Sequence, residues 1–194
     1  MEFHSTGNHQ DKLFYDIVWP ERAHVLRCAI FLTHKTNDAE DLAQETLVKA
    51  WRALGTFNLR KQGVRPWLLT ILRNTWRDAL RCQKRQGQPS SLDDIGEFPV
   101  APEVRYPPPP DFPSAADADT LLNEFSDQHI VDALMALRDE FRWTLLLVDI
   151  SDLSYEEAAD VLDVPVGTVR SRLSRAREML RDILLRDKEP AAED

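Results

Sequence analysis

The sequence predicts an all-α protein made of two small helical domains that are joined by a proline-rich, acidic linker. Apolar residues recur at helical spacing within 11–85 and again within 130–185. Residues 87–124 combine prolines with acids, a composition that disfavours both helix and sheet. We therefore expect domains at 11–86 and 125–186, with an extended linker at 87–124.

The first domain shows three helical patterns in succession. Asp11 to Thr33 is apolar at helical spacing, and Pro20 predicts a helix start or a kink there. Asn37 followed by Glu40 indicates the N-terminus of a second helix, which continues to Leu54. After a loop at 55–65, a third long helix is expected from Pro66 to about Arg85.

The second domain is predicted to begin with helices around 130–137 and 140–150. Ser154 followed by Glu157 forms a capping box, which predicts the start of a further helix. Pro165 disfavours helical geometry in the residue before it, so that helix should end near Asp163 and another should begin around Gly167. Two short helices across a tight turn, the second rich in arginine, are the sequence form of a DNA-binding helix-turn-helix.

The last helix can be tested by placing its residues at 100° intervals. One stripe about 100° wide is apolar, as expected of a core-facing side, and it holds Val169, Leu173, Ala176, Leu180, Ile183 and Leu184. The opposite face carries short hydroxyls and guanidinium groups, which suit close approach to DNA and hydrogen bonding to guanine or phosphate. That face consists of Ser171, Ser174 and Arg175, with Thr168 and Arg170 at its edges. The alternative is a basic, solvated bundle helix; the capped helix and turn before it favour DNA contact.

Composition limits the class of protein. A chain of 194 residues suits one or two small domains. No apolar run approaches the roughly 20 residues that a membrane span needs, and residues 1–10 lack the pattern of a signal peptide. Two cysteines are too few for a disulfide framework. We therefore expect a cytoplasmic protein without membrane insertion.

The net charge of −9 hides a strong segregation of charge along the chain. Residues 60–85 are mainly basic, with Asp78 as the single acid, and 166–186 contain six arginines. The acids concentrate between 87 and 127. Because local potential matters more to a nucleic acid than total charge, both basic segments remain candidates for DNA contact.

The sequence resembles a known family in three places. The segment DAEDLAQETLVKAWR (38–52), followed by RPWLLTILRN (65–74), resembles region 2 of the bacterial sigma-70 family. The helix-turn-helix at 154–177 resembles region 4. Two such domains joined by a short linker resemble the extracytoplasmic-function (ECF) group, and the likeness covers about 11–86 and 125–185.

The resemblance implies an interface with core RNA polymerase. In the family, the helix matching 38–52 docks on the clamp helices of the largest polymerase subunit, and the flap region is a further contact. The residues that would form this interface share the outer face of the helix: Asp38, Asp41, Gln44, Glu45 and Lys49. Pattern alone leaves an ordinary solvated helix face equally open.

The resemblance also implies two DNA interfaces. Residues matching the promoter −10 element, where a base of the melted strand is flipped into a pocket, are Phe57, Arg60, Lys61, Arg73, Asn74, Arg77 and Arg81. Trp67 and Trp76 could stack on bases, although their helical spacing favours the core. Residues expected at the −35 element are Thr168, Arg170, Ser171, Ser174 and Arg175. Many relatives carry a bulky aromatic where this chain has Ser174, so its preferred −35 sequence is left open.

The implied function is a transcription initiation factor that brings core polymerase to promoters, with promoter DNA and a cognate anti-sigma factor as further partners. We expect no cofactor and no enzymatic activity, since no phosphate loop, nucleophile motif or metal-ligand cluster is seen. A stand-alone helix-turn-helix regulator is the alternative, and a protein-binding adaptor is a third class. Mobility shifts with and without core polymerase would separate all three.

Three side chains suggest other chemistry. His24 and Cys28 are one helical turn apart and could be two zinc ligands. A zinc site needs two more ligands, and no other His or Cys lies at a suggestive spacing, so we favour the interpretation that both side chains are packed in the core. Cys82 lies among arginines that could lower its pKa and make it redox-sensitive; an ordinary surface cysteine is the favoured interpretation.

Overall fold

The computed structural model describes residues 10–57, 63–86 and 128–186. Regular structure in these ranges is entirely helical, which confirms the predicted all-α class. The linker and the loop residues Arg60 and Lys61 lie outside the described residues. No helix within the ranges is both long and apolar enough to cross a membrane.

The first domain contains a helical segment whose type changes along its length. A π-helical turn, Phe14–Val18, leads into a 3₁₀ turn, Trp19–Glu21, and then into helix α1, Arg22–Thr33. Pro20 lies in the 3₁₀ turn, where its missing N–H changes the hydrogen-bond pattern. The helix type therefore changes at Pro20, and α1 begins two residues after it.

Two longer helices complete the first domain. Helix α2 is Thr36–Ala53, followed by a 3₁₀ turn, Leu54–Thr56, and helix α3 is Val64–Gln86. The capping role predicted for Asn37 is wrong, because α2 begins before it with Lys35 at the N-cap and no side-chain cap. Helix α3 likewise begins before Pro66, at Val64. A proline is tolerated in the first turn of a helix because a backbone N–H at that position would have no helical partner.

Helices α1, α2 and α3 pack around a shared apolar core. Leu26 and Ile30 of α1 are completely buried, as are Leu69 and Leu72 of α3. Helix α2 presents small residues to this core, Ala39, Ala43 and Ala50, which allow its backbone to approach α1 closely. The polar side of α2 is thereby held outward.

Within residues 128–186, the second domain shows four helices and one π-helical turn. Helix α4 is Gln128–Ala136, α5 is Asp139–Leu145, the π-helical turn is Leu146–Ile150, α6 is Tyr155–Leu162 and α7 is Val166–Arg186. The completely buried Leu146 and Leu147 anchor the π-helical turn in the core. The helices predicted from periodicity are all present, with ends shifted by one to a few residues.

Ser154→Ala is expected to lower the free energy of unfolding by about 0.5–2 kcal/mol, the usual cost of losing an N-cap. The Ser154 hydroxyl accepts from the Glu157 N–H at 3.2 Å, and the Glu157 carboxylate accepts from the Ser154 N–H at 2.9 Å. Urea titration measures the loss. Ser174→Ala is the matched control, since Ser174 is exposed within a helix; an equal effect at both positions would contradict a specific capping role.

The two domains contact each other directly. The Cys28 thiol of α1 lies 3.5 Å from the Ser151 hydroxyl, which follows the π-helical turn of the second domain. The Arg73 guanidinium of α3 donates to the Val161 carbonyl of α6 at 3.2 Å. The apolar core is continuous between the domains as well. This interdomain contact places α3, the basic helix of the first domain, against α6 of the helix-turn-helix.

Candidate nucleic-acid interface

The turn between α6 and α7 fixes the geometry of the helix-turn-helix. Asp163 ends α6 in the left-handed conformation, with φ of 56°, and Val164 N–H bonds back to the Ala159 carbonyl at 3.1 Å. The Thr168 N–H then bonds to the Pro165 carbonyl at 2.8 Å, which starts α7. The capping box at Ser154 and the break at Pro165 were both read correctly from sequence.

Helix α7 has a buried side and an exposed basic side, as its angular pattern predicts. Val169, Leu173 and Ala176 are buried in the domain core. Arg170, Ser171, Ser174 and Arg175 are all exposed, and Thr168 is half-buried at the edge. The five residues predicted for the −35 element are thus brought to one side of one helix. Their DNA contacts remain a prediction.

A groove of about 680 Å³ runs along this exposed side. Its lining includes Arg170, Ser174, Arg177 and Arg181 together with Tyr155 from the start of α6. The Arg170 guanidinium lies 5.6 Å from the centre of the Tyr155 ring, within the range of a cation–π interaction. The sequence pattern did not single out Tyr155, because only the fold brings the first residue of α6 beside α7.

Two arginines of α7 are engaged inside the domain. Arg172 pairs with Glu140 of α5 at 3.0 Å. Arg177 forms a bidentate ion pair with Asp149, and its Nε lies 3.1 Å from Oδ2 of that carboxylate. This hydrogen bond raises the pKa of Arg177. These contacts hold α7 against the rest of the domain. Arg172 and Arg177 are therefore engaged in ion pairs within the domain, whereas Arg170 and Arg175 are exposed on its outer face.

The candidate −10 surface on α3 is partly outward and partly engaged. Asn74, Arg77 and Arg81 are exposed, and Arg81 lies 3.6 Å from Asp78. Arg73 differs, because it donates to the second domain and its burial lowers its pKa. Of the predicted residues on α3, Asn74, Arg77 and Arg81 therefore share an exposed helix face. Arg73 lies at the interdomain contact.

Phe57 stacks on Trp67 with ring centres 4.3 Å apart and an angle of 28° between the rings. Both rings are half-buried and pack against the apolar core, as does Trp76. For the two tryptophans this favours the core role over base stacking.

The predicted polymerase surface is the outer face of α2. Asp38, Asp41, Gln44 and Glu45 are exposed on it. Lys49 is half-buried and bridges Glu45 at 2.8 Å and Asp78 of α3 at 3.8 Å. Lys49 therefore links α2 to α3 in addition to lying on the predicted surface.

Cys28 is completely buried, and the His24 ring nitrogen lies 3.5 Å from its sulfur. No cluster of three or more potential metal ligands occurs in the part of the chain that the structure describes. Cys82 is exposed on α3.

Two family models match the chain. Sigma-70 region 2 matches residues 20–86, and Sigma-70 region 4 matches residues 128–180. The first match contains α1, α2 and α3, and the second contains α4, α5, α6 and most of α7.

Several curated proteins are similar over most of their length. The ECF RNA polymerase sigma-E factor of Haemophilus influenzae is 31% identical, over 75% of this chain and 74% of the relative. The ECF RNA polymerase sigma factor SigE of Mycolicibacterium smegmatis is 32% identical, over 98% and 69%. The RNA polymerase sigma-H factor of Pseudomonas aeruginosa is 31% identical, over 88% and 86%.

Solved structures share the fold. The sigma factor RpoE of Bartonella quintana, in complex with the anti-sigma factor NepR, superposes with a TM-score of 0.62 at 28% identity, covering 93% of this chain and 99% of that one. CnrH, in complex with the cytosolic domain of CnrY, gives 0.60 at 23% identity, covering 92% and 91%, and supports the fold alone. With both sigma regions matched and ECF factors as relatives, this chain belongs to the ECF group of the sigma-70 family.

Proposed function

We propose that this chain is a transcription initiation factor that binds core RNA polymerase and directs it to selected promoters. The observation that carries the proposal is the pairing of a region 2 domain, matched over 20–86, with a region 4 helix-turn-helix, matched over 128–180. A stand-alone regulator needs only the second of these, so it leaves α1, α2 and α3 without a role. The same family membership supports a non-enzymatic protein that acts beside polymerase in the cytoplasm.

The residue roles follow from exposure and charge. The outer face of α2 offers Asp38, Asp41, Gln44 and Glu45 to a basic partner, which suits docking on polymerase clamp helices. The exposed face of α7 offers guanidinium and hydroxyl groups to the −35 element; the residues concerned are Thr168, Arg170, Ser171, Ser174 and Arg175.

For the −10 element we propose the exposed face of α3 and the adjoining loop. Asn74 has the hydrogen-bonding groups to read a base edge, and Arg77 and Arg81 recur at four-residue spacing, which suits successive phosphates. Phe57, Arg60, Lys61 and Arg73 complete this proposed set. We assign the proposed domains to 11–86 and 125–186, with 87–124 as the linker.

A cognate anti-sigma factor is a further proposed partner. Two fold relatives, RpoE of Bartonella quintana and CnrH, are described in complexes with NepR and with the cytosolic domain of CnrY. The match to RpoE covers 93% of this chain and 99% of that one, which supports a partner of the same kind here.

Run-off transcription tests the function. Purified core polymerase should start transcripts from a subset of a promoter library only when this chain is added. A mobility shift on the same promoters should require both proteins. Promoter binding by the chain alone, with no stimulation of transcription, would instead favour the stand-alone regulator.

A further inference from the structure

Cys28 of α1 lies against the second domain, and a histidine lies on each side of it in the chain. The Cys28 sulfur contacts the Ser151 hydroxyl across the interdomain contact, and His24 contacts the same sulfur from one turn earlier. His34 follows the last residue of α1 in the left-handed conformation, with φ of 50°. Cys28 and Ser151 are 123 residues apart in the chain, so only the closed arrangement brings them together.

His24, beside this contact, is held in its neutral form by its surroundings. Burial lowers its pKa to about 4, and the neighbouring Arg65 and Arg27 act in the same direction. Glu21, and Asp152 of the second domain, oppose them more weakly. Glu21 is itself engaged by Arg65 at 3.0 Å, which limits its ability to compensate a charged imidazole.

His34 is in a comparable position. Both of its ring nitrogens are buried without a hydrogen-bond partner among the described residues, and burial lowers its pKa. Arg142 of α5 acts in the same direction, while Asp132 of α4 opposes it. A proton added to His34 would therefore bring a positive charge toward the buried guanidinium of Arg142.

Arg73 is the residue that the closed arrangement withdraws. Its guanidinium donates to the Val161 carbonyl at the end of α6, and the carboxylate of Asp163 lies close enough to favour its charge. Arg77, on the next turn of α3, is exposed. Contact of DNA with the whole α3 row therefore requires Arg73 to leave α6.

We propose that the interdomain contact is an acid-sensitive latch, closed while His24 and His34 are neutral, that withholds Arg73 from DNA until protonation opens it. Contact between the two domains does not depend on the proposed function. Its effect on DNA binding does, because that effect rests on the −10 role proposed for Arg73. Polymerase binding is a second means of separating the domains.

The direction of the pH dependence follows from linkage. A histidine with a lowered pKa in the closed state gives that state its full stability above the ordinary value of 6.5, and this stability is lost as the pH falls toward the lowered value. Arg65 and Arg27 belong to the first domain and stay beside His24 after opening, so only the part of its lowered pKa that burial at the contact causes favours the open state as the pH falls. His34 adds to the change with the same sign.

Cys28 provides a direct reporter of opening. Burial raises the pKa of its thiol to about 12, so it should react with a disulfide reagent only when the domains separate. A Cys82→Ser protein leaves Cys28 as the one thiol that reacts with 4,4′-dithiodipyridine. The rate for the urea-unfolded chain divided by the rate for the folded protein at the same pH is the protection factor of Cys28. This factor should fall severalfold between about pH 7.5 and about pH 5.5, a window above the ordinary pKa of carboxylates.

The matched control replaces His24 with Gln and His34 with Asn, which tolerates the left-handed conformation at that position. Its protection factor should be high and independent of pH in the same window. An equal fall in the control, or no fall in the parent protein, would overturn the role of the histidines. Reaction of Cys28 as fast as in the unfolded chain at about pH 7.5 would overturn the closed state.

A second measurement tests the withdrawal of Arg73. Binding of fluorescein-labelled oligothymidine to the free protein should tighten on acidification more in the parent than in the histidine control. Opening reported by Cys28 with no such difference would overturn the masking of Arg73 and leave the latch intact. Neither measurement contains polymerase or a promoter, so failure here is distinct from failure of the transcription assay.

Discussion

Replacement of Asp41 and Gln44 with arginine is expected to abolish binding of core polymerase. Both side chains are exposed on the outer face of α2, and the buried side of that helix is untouched by the change. Like charges brought together across an interface cost several kcal/mol, so affinity should fall on the order of a hundredfold or more. Co-purification with core polymerase and run-off transcription measure the loss.

Asp16→Arg is the control for this double variant. Asp16 is an exposed carboxylate in the π-helical turn Phe14–Val18, outside α2. Both proteins should keep the circular dichroism spectrum of the parent, and the control should keep polymerase binding. Retained binding in the double variant with an unchanged spectrum would exclude this face of α2 as the docking surface.

Arg175→Ala is expected to cost about 1–3 kcal/mol at promoters with the preferred −35 element, or roughly 5- to 150-fold in affinity. Arg175 is exposed beside Ser171 and Ser174 on the outer face of α7, where a guanidinium can reach a guanine edge. Loss of a bidentate base contact should be largest at the preferred sequence. Holoenzyme binding to promoters that differ only in the −35 element measures this discrimination.

Arg181→Ala provides the comparison within the same helix. Arg181 is exposed farther along α7 and pairs with Asp182 at 3.1 Å, so its removal should weaken binding less and without sequence preference. Equal, sequence-independent losses for Arg175 and Arg181 would reduce Arg175 to a phosphate contact.

Local chemistry explains which parts of the fold could be predicted. The capping box of Ser154 and Glu157 and the break at Pro165 act within a few residues, so the helix-turn-helix could be located from sequence. The outer faces of α2 and α7 follow from helical periodicity in the same way. Asn37 failed as a cap because α2 begins earlier, and a capping motif cannot fix a helix end against such extension.

The remaining features depend on residues that are distant in sequence. The contacts of Cys28 with Ser151 and of Arg73 with Val161 span 123 and 88 residues, and no periodic pattern encodes such pairs. The same applies to Tyr155 beneath Arg170 and to the stacking of Phe57 on Trp67. Candidate site residues could therefore be named from sequence, whereas their engagement with other parts of the protein could not.

The internal pairing of Arg172 and Arg177 bears on how the second domain would hold DNA. Each cation that neutralises a phosphate releases condensed counterions, and this release is the source of the salt dependence of binding. Because Glu140 and Asp149 already balance these two arginines, they are poorly placed to release counterions from a duplex. We therefore expect a smaller electrostatic share of affinity at the −35 element than the arginine content of α7 suggests. Discrimination should then depend more on the base-edge contacts that we propose for Arg170 and Arg175.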